Sequence, residues 1–434
     1  MEVTIAGAGL AGSEAALYLA NKGIKVNLYE MRPNKQTGAH KTSNAAEVVC
    51  SNSLGSKDLS VASGLLKAEM ELLGSTLIRA AKEFSLPAGN ALAIDRELFS
   101  EHITTLIEDN PNINLIREEI TQIPATPCII ASGPLTSDEL AQSISEFTEE
   151  DNLHFFDAIA PIVEKDSINF DKAFYASRYD KGEASYINCP MNKEEYLHFY
   201  NILINSPAIE LKSFEKNASF FESCLPVEVI ASRGVDTLRF GPLKPVGLID
   251  KRTDTINYAV VQLRQDNMAA DLYNLVGFQT NLKWGAQKEL IRSIPGLENA
   301  NISRYGVMHR NTFIFSPKVL YPTLQTKKRH DLFFAGQITG VEGYSESMAT
   351  GLLAGINMYR FLTNQELLVL DDCSMLGALC KYISFEEHKK LNPINSNWGI
   401  LKPVEVEKKF RKDKKFKAKL YTERAFEYIK GLKI

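Results

Sequence analysis

The residues best equipped for chemistry stand at the start of the chain, in the turn Gly7-Ala8-Gly9-Leu10-Ala11-Gly12. A strand (Val3 to Ala6) precedes it, a helix (Ser13 to Asn21) follows, and a second strand (Lys25 to Tyr29) ends on Glu30. That order predicts a βαβ unit able to bind an adenine dinucleotide. The first glycine permits the tight turn, the second lets the backbone approach a pyrophosphate, and the third lets helix and strand pack closely. The phosphates then rest on free N–H groups at the helix N-terminus. Glu30 is placed to accept hydrogen bonds from ribose hydroxyls, and Arg32, in the basic loop that follows, could reach a phosphate. FAD and NAD(P) both stay open at this point.

Six cysteines (Cys50, Cys128, Cys189, Cys224, Cys373, Cys380) form no CxxC pair, which speaks against a zinc site or a disulfide framework. Each is by default a small buried hydrophobe. Cys50, however, lies among small polar residues and a glycine, company that suits a loop. Cys224 opens a dense segment in which Arg233, Arg239 and Lys244 crowd a backbone fixed by glycine and proline. Such cations suggest an anionic ligand, with surface ion pairs as the plainer reading. His309 stands beside Arg310; a lone histidine is usually structural.

The elements that must position these residues read as a split α/β fold. Helical spacing recurs over Leu65 to Phe84 and Asp95 to Leu106, and Pro127 to Pro134 reads as a buried parallel strand ending in a glycine turn. Between Leu135 and about Thr326, short strands, aromatics and turn clusters replace the helix–strand alternation, as expected of an inserted domain. The opening fold then resumes with a strand ending at Gly336-Gln337 and a helix from Ser347 to Phe361. Residues 1–135 and 327–401 would form the nucleotide domain, 136–326 the insert and 402–434 a basic tail. Cys373 and Cys380, seven apart, would share one helical face.

At 434 residues, 44% hydrophobic and 24% charged, the composition is that of an ordinary soluble multidomain protein. No window reaches the apolar length of a membrane span, and a strand at the very start leaves no room for a signal peptide, so the expected compartment is the cytoplasm. Net charge is −4, yet Lys408 to Lys419 alone carries +7. By itself that run reads as a solvated terminal helix burying Phe410, Phe416 and Leu420, with a nucleic-acid contact as the alternative.

Taken together, GAGLAGSEAA, YEMRP, VVCSNSLGS, PAGNALAIDRE, ESCLPVEVIASRGVDTLRFGPLKPVGL, RYGVMHRNTF and FFAGQITGVEGYSESMATGLLAGIN resemble the flavin- and folate-dependent tRNA (uracil-5-)-methyltransferases, the TrmFO family. The resemblance implies a Rossmann-like, glutathione-reductase-like FAD-binding domain with an inserted α/β substrate domain. It implies methylation of C5 of uridine 54 in the tRNA T-loop, with one carbon from 5,10-methylenetetrahydrofolate, FAD as carrier and NADPH or NADH as reductant. Cys224 would be the nucleophile that adds to uracil C6, and Cys50 the base that removes the C5 proton. For FAD the resemblance carries over Gly7, Ala8, Gly9, Leu10, Ala11, Gly12, Glu30, Arg32, Gly336 and Gln337, and His309 would stack on the folate pterin. No metal and no membrane enter. Residues 56–63 and the lysine-rich tail depart from the commoner family pattern, so the same reaction on a 23S ribosomal RNA uridine is the alternative, with a small-molecule flavin oxidoreductase as the rival from another class.

Overall fold

The computed structural model describes residues 1–150, 153–180, 183–209, 219–220, 225–253, 257–410 and 412–433. A five-stranded sheet holds, in order, Leu332–Phe334, Cys128–Ile130, Glu2–Ala6, Lys25–Tyr29 and Ile113–Ile116. Every neighbour pair is parallel. Its central strands are apolar on both faces because helices cover both sides, the usual condition of a parallel sheet. Val3, Ile5, Cys128, Ile129, Ile130, Phe333 and Phe334 all lie in one continuous core. The late strand thus closes one edge of the sheet, separated from the opening strand only by Cys128–Ile130.

A second sheet, six-stranded and antiparallel, runs Phe174–Ala176, Tyr186–Met191, Ala259–Gln265, Leu272–Leu275, Ile162–Glu164 and Ile302–Arg304. It has its own core around Ile187, Met191, Val261, Leu263 and Phe278. A three-stranded sheet is made of Ser219–Phe220, Leu153–Ala158 and Met308–Phe313. Thr312 N–H donates to the Pro134 carbonyl at 2.8 Å and Ile314 N–H to that of Ile338 at 2.9 Å, so this last strand is tied to two loops of the parallel sheet.

Three local expectations need correction. The helical pattern over Leu65 to Phe84 is two helices, Ala62–Leu72 and Thr76–Glu83. The break is Gly74, at φ +88°, followed by Ser75, whose side chain caps the second helix by accepting from Ile78 N–H. Cys373 does not share a helix with Cys380, since Met375–Ile383 begins only after the N-cap Ser374. In the C-terminal helix Lys414–Lys430 the buried stripe is Ala418, Thr422, Ala425 and Ile429. Phe410 and Phe416 instead stack on each other, and Ala425 and Ile429 join the main core.

Two fully buried carboxyls hold the helices in place. Glu14 accepts from Ser75 Oγ, Thr76 N–H and Leu77 N–H, and Glu69 from the N–H groups of Met375 and Leu376 at a helix N-terminus. Burial pushes both up from the ordinary 4.5 to about 7, outweighing those hydrogen bonds. A raised carboxyl favours the folded state while protonated, so this contribution is whole below about pH 4.5 and is lost as pH rises through about 7. Thermal unfolding followed from pH 5.5 to 8 should show the midpoint falling. Glu69→Gln, which loses one of the two backbone bonds, should start lower and fall less steeply; an equally steep fall would remove Glu69 from the explanation.

Candidate functional site

A cavity of about 590 Å³ opens at the carboxyl ends of the parallel strands, where ligands bind in open α/β sheets. Its walls include Gly7, Gly9, Leu10 and Ala11 from the glycine turn, Glu30 and Arg32 after the second strand, and Gly336 and Gln337 after the last. The three glycines divide the labour. A Cβ on Gly7, at φ +98°, would meet the Ala131 carbonyl at 2.6 Å, and one on Gly12 would lie 1.8 Å from the Gly7 carbonyl oxygen. Both are demanded by close packing. A Cβ on Gly9 would meet nothing within 4 Å, so its absence leaves room for a ligand. Helix Leu10–Asn21 carries no side-chain cap at Gly9, which leaves the first-turn N–H groups of Leu10 and Ala11 facing the cavity. These residues fit the pyrophosphate of a dinucleotide.

Ala8 and Gly12 do not line the cavity; they shape it. Ala8 N–H donates to Glu30 Oε2 at 3.1 Å. The other oxygen of Glu30 accepts from Arg32 Nε at 2.8 Å, and this guanidinium, 1% exposed, also binds Glu47 and the Thr42 carbonyl. The Arg32 contact holds Glu30 below the ordinary carboxylate range despite its burial, so it is an anion ready to accept. Arg32 thus orients Glu30 and the loop through Nε and Nη1 while itself lining the cavity. His40 closes that side, bonded to Thr37 at 2.7 Å and pushed down to about 4 by burial and by Arg32, which keeps it neutral.

Cys50 is half-buried in the cavity wall. Its N–H donates to Tyr344 Oη at 2.7 Å. Two residues on, the amide of Asn52 makes all its hydrogen bonds, donating to the carbonyls of Ile94 and Gln265 and accepting from Arg264 Nε and Asn274 Nδ2. The thiol-bearing loop is therefore pinned between the short strand Ala91–Ile94 and the six-stranded sheet. Arg96, paired with Asp266 at 2.6 Å, and Arg304 both lie within electrostatic reach of Cys50. By contrast, burial pushes the thiols of Cys128, Cys373 and Cys380 up to about 12 and that of Cys189 up as well, so these four stay protonated.

Cys224 lies outside the described residues, and so does the side chain of His309, whose backbone pairs with Asp157 in the strand register. The chain resumes at Leu225, and Val227 N–H donates to the carbonyl of Gln279, a residue of the cavity wall. Of the cations grouped with Cys224, Arg239 is paired with Asp236 and stacked on Tyr258 at 3.4 Å, and Lys244 is exposed. Neither lines the cavity. Positive charge within reach of the Cys50 loop comes from Arg96 and Arg304, about two hundred residues apart in sequence. Only the fold could show that. Asn311 and Tyr344, also in the wall, belong to the RYGVMHRNTF and FFAGQITGVEGYSESM stretches but bear no chemical signature in sequence.

The glucose inhibited division protein A family matches residues 2–366. Two bacterial relatives named methylenetetrahydrofolate–tRNA-(uracil-5-)-methyltransferase TrmFO are similar throughout. The one from Anoxybacillus flavithermus is 56% identical over 431 residues, 99% of either chain. That from Halalkalibacterium halodurans is 55% identical over 429 residues, 99% of this chain and 98% of its own. Among solved structures, Aquifex aeolicus GidA superposes with a TM-score of 0.69 at 18% identity, over 98% of this chain and 73% of that one. A second crystal form gives 0.67 at 19%, over 99% and 77%.

The glycine geometry makes a paired test. Gly9→Val should leave the fold intact and weaken dinucleotide binding at least tenfold, as judged by circular dichroism and retained cofactor, whereas Gly12→Val should fail to fold. Full cofactor retention in Gly9→Val would mean that the ligand does not pass over this turn.

Proposed function

Because this chain belongs to the TrmFO family of folate-dependent tRNA (uracil-5-)-methyltransferases, a branch of the glucose inhibited division protein A group, we propose that the cavity beside Cys50 is where its reaction takes place. The enzyme methylates C5 of uridine 54 in the tRNA T-loop, using methylenetetrahydrofolate and FAD. To this we add NADPH or NADH as the reductant and the cytoplasm as the compartment. No helix among the described residues is long and apolar enough to cross a membrane. The observation that carries the assignment of the site is the convergence, in one cavity wall, of the glycine turn and the pinned Cys50 loop.

FAD, when bound, carries the one-carbon unit and the hydride. The residues of this chain handle the uracil. Its C5 is a poor nucleophile until a bond forms at C6. We assign that bond to the Cys224 thiolate: sulfur adds to C6 and the ring π pair moves onto C5 and O4. C5 then takes the carbon. Cys50 accepts the C5 proton as the carbon parts from its carrier to leave an exocyclic methylene on C5. A hydride adds to that methylene to complete the methyl group, and the C6–S bond breaks to return the thiolate of Cys224. Arg96 and Arg304 put positive charge within electrostatic reach of the Cys50 thiol. His309 is assigned to the pterin, and Gly7, Ala8, Gly9, Leu10, Ala11, Gly12, Glu30, Arg32, Gly336 and Gln337 to the dinucleotide.

The tail acquires a role from where it lies. Thr422 Oγ1 of the C-terminal helix donates to the Leu59 carbonyl at 3.4 Å, and Lys415 bears electrostatically on Asp58. Gly55, Val61 and Ser63, on either side of Asp58 and Leu59 in the chain, line the cavity. The exposed Lys412, Lys414, Lys415 and Lys419 thus flank its rim and are assigned to RNA phosphates.

Cys224→Ala should abolish both methylation and any exchange of the uracil C5 hydrogen for tritium. Cys50→Ala should abolish methylation while still allowing attachment of the RNA through Cys224. Methylation retained in either variant refutes its assignment, and methylation of ribosomal RNA but not tRNA would replace the substrate. For the tail, deletion would strip core residues Ala425 and Ile429, so the four lysines are better changed to Gln together. Every lysine–phosphate pairing abolished in this way should flatten the log–log salt dependence of tRNA affinity by roughly 0.7–0.9; an unchanged slope places RNA elsewhere.

A further inference from the structure

Two buried asparagines stand close to the cavity, and their hydrogen bonding is opposite. The amide of Asn52 is bonded at both ends by four partners. Asn311, fully buried, has neither Nδ2 nor Oδ1 bonded to any group among the described residues, although it lines the cavity. A buried amide without partners is penalised at both its donor and its acceptor. Such a residue persists where something outside the chain completes it.

The chemistry of that partner is set by the amide itself. A carboxamide offers one acceptor and one donor side by side in a plane, so it pairs best with a C=O next to an N–H, through two parallel bonds. It is uncharged, so phosphate is a poor match. The position narrows the choice. Thr312, next in the strand, is bonded to Pro134, and Ile314 to Ile338, which are the loops leaving the carboxyl ends of strands Cys128–Ile130 and Leu332–Phe334. Gly133, Pro134, Gly336 and Gln337 line the same wall. Asn311 is therefore anchored to the part of the fold that holds a dinucleotide, and faces what that dinucleotide projects into the cavity.

We propose that Asn311 binds the imide edge of the flavin ring, its Oδ1 accepting from the ring N3–H and its Nδ2 donating to the adjacent ring carbonyl. This rests on the assignment of FAD to the cavity. Uracil and pterin carry a similar edge, so the test must separate the three.

Holoenzyme of the wild type, Asn311→Leu and the isosteric Asn311→Asp is diluted and released flavin is read by its fluorescence, alongside the visible flavin band, KM for tRNA and the dissociation constant for folate. Without two bonds to a buried partner, Asn311→Leu should show an FAD dissociation constant raised by about 10- to 100-fold and a visible band of altered shape. Asn311→Asp, which cannot donate while ionised, should also release flavin more readily. In the wild type, FAD methylated at ring N3 should exchange in poorly, while Asn311→Leu should discriminate little between the two cofactors. Unchanged flavin retention with a raised KM for tRNA would make Asn311 a reader of uracil, and a change in folate affinity alone a reader of pterin. Either result overturns the proposal. A wild type that holds no FAD at all would instead overturn the cofactor assignment on which it rests.

Discussion

Helix Leu10–Asn21 and helix Tyr344–Leu362 lie against each other almost backbone to backbone, and the site depends on that contact. A Cβ on Gly351 would fall 2.2 Å from the Ala11 carbonyl oxygen, and one on Gly355 3.2 Å from Ala15 Cα. Only glycine lets the axes approach so closely, at a cost in helix propensity that burial of both helices offsets. The contact joins segments more than three hundred residues apart in sequence. It brings Gly336 against Ala11, and it carries Tyr344, the first residue of the late helix, to the backbone of Cys50. A cofactor cradle and a thiol thereby come to share one cavity.

The second constraint is polar. The six-stranded sheet and the loop that follows Gln265 meet the first hundred residues through Arg96–Asp266, through Met268 N–H on Asp95 and through three of the four bonds of Asn52. Arg96 is largely withdrawn from water against the buried Asp266, and such a charge pair is sensitive to the loss of either partner. These bonds give the Cys50 loop a single placement, which catalysis at a uracil C5 requires, since small misplacements of a reacting group cost large factors in rate. Asn311 is the counterpart. Where the protein needs a fixed loop, every amide atom is satisfied; where it meets a ligand, both are left open.

Much of this is legible in the sequence because it is local. The glycine turn, the strand ending on Glu30 and the buried strand after Pro127 depend on short-range sterics and periodicity, and they form the parallel sheet that those signals predict. The Leu65 to Phe84 stretch misleads because its apolar spacing continues across Gly74, while the chain there turns sharply enough to bury Glu14 at the next helix start. The buried stripe of the C-terminal helix is hard to read for a similar reason: small Ala418 and Ala425 face the core, and the larger Phe410 and Phe416 pair outside it. Long-range placement leaves no local trace. Arg96 and Arg304, which both bear electrostatically on Cys50, are far apart in sequence, and the open amide of Asn311 is a fact of packing alone.

The chemistry assigned to the two cysteines is tested most directly by trapping. A tRNA carrying 5-fluorouridine at position 54 cannot surrender its C5 substituent as a proton, so a thiol added at C6 stays attached. Incubation with holoenzyme, methylenetetrahydrofolate and NADPH, followed by digestion and peptide mass spectrometry, shows where. Attachment at Cys224 Sγ is the expected result. Attachment at Cys50, or no covalent adduct while the same enzyme methylates unsubstituted tRNA, would contradict it.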